Sequence, residues 1–218
     1  MTSLEKLLHN EERPTRVLAL GAHPDDIEIG CAGTLLRFVE AGAEVNLYIA
    51  TEGQRGGAPE MRVREAERAA DKMKVKEIFW GDFMDCEIPH GLELIQSIEK
   101  AIKAVAPDFL FVHYFNDTHQ DHRAMAGAAQ SAGRRVPNFL FFESPTTQHF
   151  APYTFCNINT TITQKIELLE THFSQVARTN IDGTPITDIA RAMAIHRGMD
   201  IYTRYAEAFL PTRLTLFQ

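Results

Sequence analysis

The sequence predicts an α/β fold in which a mostly parallel β-sheet lies between two layers of helices. Short, nearly uninterrupted apolar runs recur along the chain, and such runs are typical of strands that are buried on both faces. Each of the first four runs is followed by a segment whose apolar residues have helical spacing. Repeated strand–helix units favour a parallel sheet with right-handed crossovers and helices on both faces, a three-layer αβα architecture.

The predicted strands share a high content of Val, Ile, Leu and Phe, and in chain order they cover residues 17–20, 44–51, 77–80, 109–113, 139–142 and 153–159. The predicted helices carry apolar residues three and four positions apart, and they cover residues 28–41, 61–73, 92–105, 122–133, 162–173 and 186–199. Gly42 and Pro107 end the first and third helices. Loops are predicted at 51–60, which is rich in Gly and Pro, and at 82–89. We find no repeat and no linker, so a single domain over residues 1–218 is expected.

Composition restricts the class of partner. The 218 residues carry a formal net charge of -7, which argues against nucleic acid or an anionic membrane surface as the main partner. Hydrophobic residues make up 44% and charged residues 23%, as in ordinary globular proteins. No stretch approaches the roughly 20 apolar residues of a membrane span.

Cysteine usage and the first residues predict a location. The three cysteines, Cys31, Cys86 and Cys156, are far apart and form no C-x-x-C pair, which favours free thiols in a reducing compartment. Residues 1–10 mix charge with Leu4, Leu7 and Leu8 and lack the continuous apolar segment of a signal peptide. We therefore expect a cytoplasmic protein.

A polar cluster begins where the first apolar run stops. His23 and Asp26 lie in the turn that leads into the first helix, and the carboxyl end of a parallel strand is where ligands bind in open α/β sheets. A tight turn can direct one imidazole nitrogen and one carboxylate oxygen at a common point, a donor pair suited to zinc. Taken alone, the pair is more often a helix cap beside a surface residue than a metal site.

A second cluster, His119-Gln120-Asp121-His122, follows the fourth predicted strand and precedes a helix. Both clusters therefore lie at the same edge of a parallel sheet. His122 completes a set of two histidines and one aspartate, and three protein ligands with a position left for water are typical of a catalytic zinc site. The alternative is that His119 and His122 are loop histidines or a helix cap.

Three neighbouring side chains have two interpretations each. Asp25 is either a general base toward metal-bound water or the N-cap of the first helix. His119, if it is not a ligand, can donate a hydrogen bond to a developing oxyanion or protonate a leaving amine. Asp121 is a candidate for orienting one of the imidazoles.

The motifs resemble one family. Ala22-His23-Pro24-Asp25-Asp26 with Gly30-x-x-Gly33-Thr34 resembles the first signature of the LmbE-like (PIG-L-like) zinc-dependent N-deacetylases, and His119-x-Asp121-His122 resembles the second. Further matches occur in order, at Thr51-Glu52-Gly53 with Gly56-Gly57, at Arg62-x-x-Glu65-Ala66, at Arg197-Gly198 and at Tyr205-Ala206-Glu207-Ala208-Phe209. The similarity extends from about Arg16 to Phe209.

The resemblance implies a Rossmann-like fold and removal of the N-acetyl group from an N-acetylglucosamine-type sugar or conjugate. By position it implies that His23, Asp26 and His122 bind Zn2+, with another divalent transition metal as an alternative. It implies that Asp25 is the general base, that His119 assists the oxyanion or leaving group, and that Asp121 supports the histidines. It also implies trimers or hexamers.

The same resemblance places Arg62 and Asp85 where relatives contact the sugar. From the residues alone, a solvated helix face for Arg62 and a turn position for Asp85 are equally good interpretations.

Three other functions remain as alternatives. A nucleotide-binding module is disfavoured because Gly21, Gly30 and Gly33 do not form G-x-G-x-x-G and two acids occupy the place of a pyrophosphate. A non-catalytic zinc-dependent sugar-binding protein is disfavoured by the presence of Asp25. A metal-dependent hydrolase of another bond in a sugar- or nucleotide-like molecule fits the motifs equally well.

Overall fold

A computed structural model describes residues 13–179 and 181–215 and contains, within them, a seven-stranded sheet and six helices. The strands, labelled in chain order, are β1 (Arg16–Gly21), β2 (Glu44–Thr51), β3 (Glu77–Phe83), β4 (Phe109–His113), β5 (Asn138–Phe142), β6 (Thr154–Asn157) and β7 (Ala206–Arg213). The helices are α1 (Asp26–Glu40), α2 (Pro59–Met73), α3 (Leu92–Val105), α4 (Gln120–Ala132), α5 (Ile162–Thr171) and α6 (Ile186–Asp200). The predicted three-layer α/β fold with a mostly parallel sheet is confirmed.

The order of strands in the sheet is β3-β2-β1-β4-β5-β7-β6. The first five strands in this order are parallel to one another. Strand β7 pairs antiparallel with β5 on one side and with β6 on the other. After β3 the chain returns to the other side of β1, so the direction of strand addition reverses between β1 and β4. That reversal opens a crevice at the carboxyl ends of these two strands, where ligands bind in folds of this type.

The seventh strand is the element that the sequence analysis missed. Residues 206–213 contain a buried acid, Glu207, and a proline, Pro211, and both features are unusual in a strand interior. Tertiary pairing overrides that local signal, because β7 fills the gap between β5 and β6. The strand prediction at 77–80 was also too short, since β3 continues to Phe83 through the start of the predicted loop at 82–89.

Successive side chains of the central strands enter opposite core layers. Leu18 and Leu20 of β1 pack with α3 and α4, whereas Val17 and Ala19 pack with α1 and α2. This alternation is the period of two expected for a strand. It explains why the central strands are apolar throughout, since neither face of the sheet is exposed to water.

Helices α5 and α6 form a third cluster of buried residues with α1, so the α1 side of the sheet carries the additional helices. All three cysteines are free, as predicted. No helix within residues 13–179 and 181–215 is long and apolar enough to cross a membrane. Residues 1–10, on which the expectation about a signal peptide rests, lie outside the described part of the chain.

Candidate metal centre and active site

The two sequence clusters meet at the crevice between β1 and β4. His23 and Asp26 follow β1 and enter α1, and His122 lies in the first turn of α4, which follows β4. One potential ligand atom from each of these three residues lies within 4.8 Å of the other two, and all three residues are buried. The structure therefore brings together the three side chains that were predicted as metal ligands.

Asp26 is the centre of this group. Its Oδ2 atom accepts hydrogen bonds from the backbone amides of Ala22 (3.0 Å) and His23 (2.7 Å), which fixes the carboxylate within the turn. The same Oδ2 lies 3.3 Å from Nδ1 of His23, and Oδ1 lies 3.3 Å from Nε2 of His122. One carboxylate thus faces one nitrogen of each imidazole.

In each imidazole, the ring nitrogen that does not face Asp26 lies next to other carboxylates. Nε2 of His23 lies 3.0 Å from Asp121 and 3.1 Å from Asp85, and Nδ1 of His122 lies 3.2 Å from Asp117. Carboxylates in these positions select the tautomer and the orientation of a metal-binding imidazole. His23 Nδ1 and His122 Nε2 are consequently the nitrogens that remain to bind a cation.

The chemistry of this donor set fits zinc. Two imidazole nitrogens and one carboxylate oxygen leave a fourth tetrahedral position open, as in catalytic zinc sites. Burial raises the pKa of Asp26, but His122, His113 and His23 lower it well below its usual value, so the carboxylate is ionised. Burial lowers the pKa of His122, yet Asp26 and Asp117 raise it to about 9. The ionised Asp26 carboxylate and the carboxylate beside His122 therefore make the site suited to a cation.

Asp25 has a strained backbone and a more accessible carboxyl group. Its φ of 100° is unusual for a residue other than glycine, and such a conformation costs on the order of 1–3 kcal/mol. Its side chain is 24% exposed, compared with 10% for Asp26, and it makes no capping hydrogen bond to α1. Most of the side chain is nevertheless buried, and this burial raises its pKa to about 6, although Arg62 and His172 oppose the shift. Asp25 is the N-cap residue of α1 by position, as one of its two interpretations predicted, but its side chain makes no capping hydrogen bond.

His119 is the N-cap residue of α4, and its Nδ1 accepts a hydrogen bond from the amide of Asp121 at 3.2 Å. A neutral ring that accepts at Nδ1 carries its proton on Nε2, so it presents a donor. The ring packs edge-on against His23 and stacks on His122. Asp121, 1% exposed, joins His23 to the 82–89 loop by accepting from the amide of Cys86 at 2.7 Å.

Sequence reasoning missed Asp117. Its carboxylate contacts His122. It accepts hydrogen bonds from the amide of His119 (2.8 Å) and from the hydroxyls of Ser144 (2.7 Å) and Thr147 (3.0 Å). It is 3% exposed. The available signal was its position in the same polar stretch after β4, only two residues before the recognised motif.

His113 was interpreted as a core histidine, and it is fully buried at the end of β4. Its ring nevertheless belongs to the site, since it stacks on His122 with centroids 3.9 Å apart and its Nε2 lies 3.1 Å from Asp26. Burial and the neighbouring His122 lower its pKa to about 4, so the ring is neutral.

Arg62 and Asp85, for which the resemblance implies sugar contacts, are also beside the site but are buried, with exposures of 5% and 4%. The Asp85 carboxylate contacts His23 and accepts from the amide of Arg55 at 2.9 Å. Arg62 donates to backbone carbonyls of two loops. The solvated helix face proposed for Arg62 as an alternative is therefore wrong.

Comparison with known proteins identifies the family. The family described as PIG-L: GlcNAc-PI de-N-acetylase matches residues 18–133. The uncharacterized deacetylase YaiS of Escherichia coli is 31% identical over 177 residues, which cover 77% of this chain and 96% of that protein. The diacetylchitobiose deacetylase of Thermococcus kodakarensis is 29% identical over 140 residues, 57% of this chain and 52% of that protein. The crystal structure of the conserved protein TT1542 from Thermus thermophilus superposes with a TM-score of 0.82 at 25% identity, covering 93% of this chain and 96% of that one.

Proposed function

The chain belongs to the PIG-L family of GlcNAc-PI de-N-acetylases, and from this membership we propose that it is a zinc-dependent hydrolase that removes the acetyl group from an N-acetylglucosamine-type sugar or sugar conjugate. The family and the deacetylases among its relatives support deacetylation as the reaction. The diacetylchitobiose deacetylase among them supports an N-acetylated sugar as the substrate class.

The observation that carries the proposal is the convergence of His23, Asp26 and His122, with the accessible carboxylate of Asp25 next to them in the chain. A cation-binding set with an adjacent carboxylate provides for attack by water on an unreactive amide. The donor atoms that we assign to the metal are His23 Nδ1, one oxygen of Asp26 and His122 Nε2.

Zinc held by these atoms would supply a Lewis acid for the amide carbonyl and would lower the pKa of a bound water. In the proposed mechanism, Asp25 removes a proton from the attacking water. His119 Nε2–H donates a hydrogen bond to the developing oxyanion or to the leaving amine, and the proton that Asp25 took from the water passes to the amine nitrogen as the C–N bond breaks. Asp121 holds the ring of His23, and Asp117 holds that of His122.

A pair of variants tests the proposal. We expect about one zinc per wild-type chain and release of acetate from N,N'-diacetylchitobiose or N-acetylglucosamine. His122→Ala should lose both the metal and the activity. Asp25→Asn should keep the metal, because Asn also adopts the left-handed conformation, but its turnover should fall by about 10²–10⁴-fold.

The measurements are elemental analysis of the purified proteins and colorimetric detection of the released amine. Zinc retained by His122→Ala would contradict the assigned ligands, and undiminished turnover of Asp25→Asn would remove that residue from its role. Zinc bound without acetate release from any N-acetyl sugar would instead favour a non-catalytic sugar-binding protein or hydrolysis of another bond.

Self-association into trimers or hexamers and a cytoplasmic location stay predictions. The spacing of the three free cysteines supports the second. Sedimentation equilibrium checks the first, and the molecular mass of a single chain at micromolar concentration would contradict it.

A further inference from the structure

A cavity of about 300 Å³ lies on the α1 side of the sheet. Five phenylalanine rings from α1, β4, β6 and β7 line it, those of Phe38, Phe109, Phe111, Phe155 and Phe209. Protein interiors are normally packed with few voids larger than a water molecule. The volume instead falls at the lower end of the range for small-molecule sites, roughly 300–1,000 Å³.

The cavity is remote from the candidate metal centre. Helix α1 begins at Asp26, beside the histidines, and lines the cavity with Thr34, Arg37 and Phe38 near its other end. Between Asp26 and Phe38 an α-helix rises about 18 Å. Phe109, the first residue of β4, also lines the cavity, so the cavity lies toward the amino ends of the parallel strands. It is therefore a site separate from the crevice at their carboxyl ends.

The walls of the cavity favour a hydrocarbon chain. Phe111 and Phe209 of its inner wall are buried, whereas Leu214 at its mouth is 45% exposed and Asn157 is also exposed, so a ligand can enter from the solvent. Apolar cavities of about half this volume bind small apolar molecules. The volume equals that of about ten water molecules, and a methylene group is of similar size, so it suits an alkyl chain of about eight to ten carbon atoms.

The lining supplies one charge, and this charge is positive. Within the described part of the chain, Arg37 is the only charged residue that lines the cavity. Its Nη1 atom donates to the hydroxyl of Thr160 at 2.8 Å, and its Nε atom lies 3.8 Å from Glu40, which is beyond hydrogen-bond distance. Its Nη2 atom makes no hydrogen bond to any of residues 13–179 and 181–215. A guanidinium group with a free donor beside an apolar cavity complements a carboxylate.

We propose that this cavity binds a medium-chain carboxylic acid, with the alkyl chain among the phenylalanine rings and the carboxylate beside Arg37. Burial of the chain supplies the affinity, and Arg37 selects an anionic head group. The inference is independent of the proposed deacetylase function, because none of the residues that line the cavity belongs to the candidate metal centre.

Isothermal titration calorimetry with three ligands of equal chain length tests the head group. We expect one decanoate to bind per chain, and decyltrimethylammonium to bind more weakly. Arg37→Gln should weaken the binding of decanoate by roughly 10-fold and leave that of uncharged decanol unchanged. Arg191→Gln, an exposed arginine of α6, is the matched control and should bind decanoate as the wild type does. An equal effect of Arg37→Gln on decanoate and decanol would overturn the pairing with Arg37.

A substitution that fills the cavity tests the location. Cys156 of β6 lines the cavity, so the ring in Cys156→Phe would occupy part of its volume. We expect this variant to lose decanoate binding and to keep the far-ultraviolet circular dichroism of the wild type. Decanoate binding retained by Cys156→Phe would overturn the proposal. It would also be overturned if decanoate did not bind the wild type saturably, since another part of the chain or a second copy would then fill the cavity. If Cys156→Phe does not fold, the comparison of Arg37→Gln with Arg191→Gln still decides.

Discussion

Individual carboxylates decide which nitrogen of each imidazole is free in this site. His23 has Asp121 and Asp85 at Nε2, and His122 has Asp117 at Nδ1. Asp117 is in turn held by the hydroxyls of Ser144 and Thr147, which come from the segment after β5. The orientation of His122, a proposed metal ligand, therefore depends on a residue outside the recognised motifs.

Replacing Asp117 should weaken metal binding without removing a ligand. Asp117→Asn takes away the negative charge beside His122 Nδ1, and loss of such a partner typically lowers metal affinity by about 10–100-fold. Competition with a chromophoric chelator measures the zinc affinity. Asp188→Asn, an exposed position on α6, is the control. Equal zinc affinity of the two variants would show that Asp117 does not orient His122.

At the scale of elements, α1 is the helix that presents the site, and a buried ion pair anchors it. Glu207 of β7 accepts hydrogen bonds from the amides of Gly33 (2.9 Å) and Thr34 (2.7 Å) within this helix. Lys165 of α5 donates to Glu207 at 2.6 Å and to the carbonyl of Ile29 at 2.8 Å. The anchor thus connects α1 to β7 and α5.

Breaking this pair should destabilise the fold more than it alters the chemistry. Lys165→Met leaves the Glu207 carboxylate buried without its counter-charge, which typically costs about 3–5 kcal/mol of unfolding free energy. Urea denaturation of the variant beside Lys103→Met, an exposed lysine of α3, measures the difference. If both variants lose the same unfolding free energy, the hydrogen bonds from the α1 amides suffice to stabilise the buried Glu207 carboxylate.

At the scale of the whole molecule, the two main core layers are coupled through shared strands. Leu18 and Leu20 enter one layer while Val17 and Ala19 of the same strand enter the other, so neither layer can open without disturbing β1. We propose on this basis that residues 1–218 fold as one cooperative domain.

Urea unfolding followed by two probes tests that proposal. Trp80, the single tryptophan, reports on β3 at the edge of the sheet, whereas far-ultraviolet circular dichroism reports on all helices. Coincident transitions are expected for one cooperative unit. Separate midpoints for fluorescence and dichroism would indicate at least two units.

The predictability of the elements followed the strength of their local signal. Strands β2 and β4 and helix α3 have the predicted bounds, because their apolar patterns are continuous or strictly periodic. The signal failed for β7, whose buried Glu207 and Pro211 oppose a strand by local rules. It also failed for His113, which is recognisable only by what it contacts, and for Asp117, whose one local signal was its position two residues before the recognised motif.

The sequence alone determined the α/β fold class, the family, and the His23, Asp26 and His122 set with Asp25 beside it. These follow from local periodicity and from motifs a few residues long, which need no knowledge of distant contacts. Only the tertiary structure decided that β4 pairs beside β1, that β7 enters the sheet between β5 and β6, and that Arg62 turns inward to the Pro24 carbonyl. Each of these joins segments far apart in the chain, and their pairing is set by packing over the whole sheet and not by any local pattern.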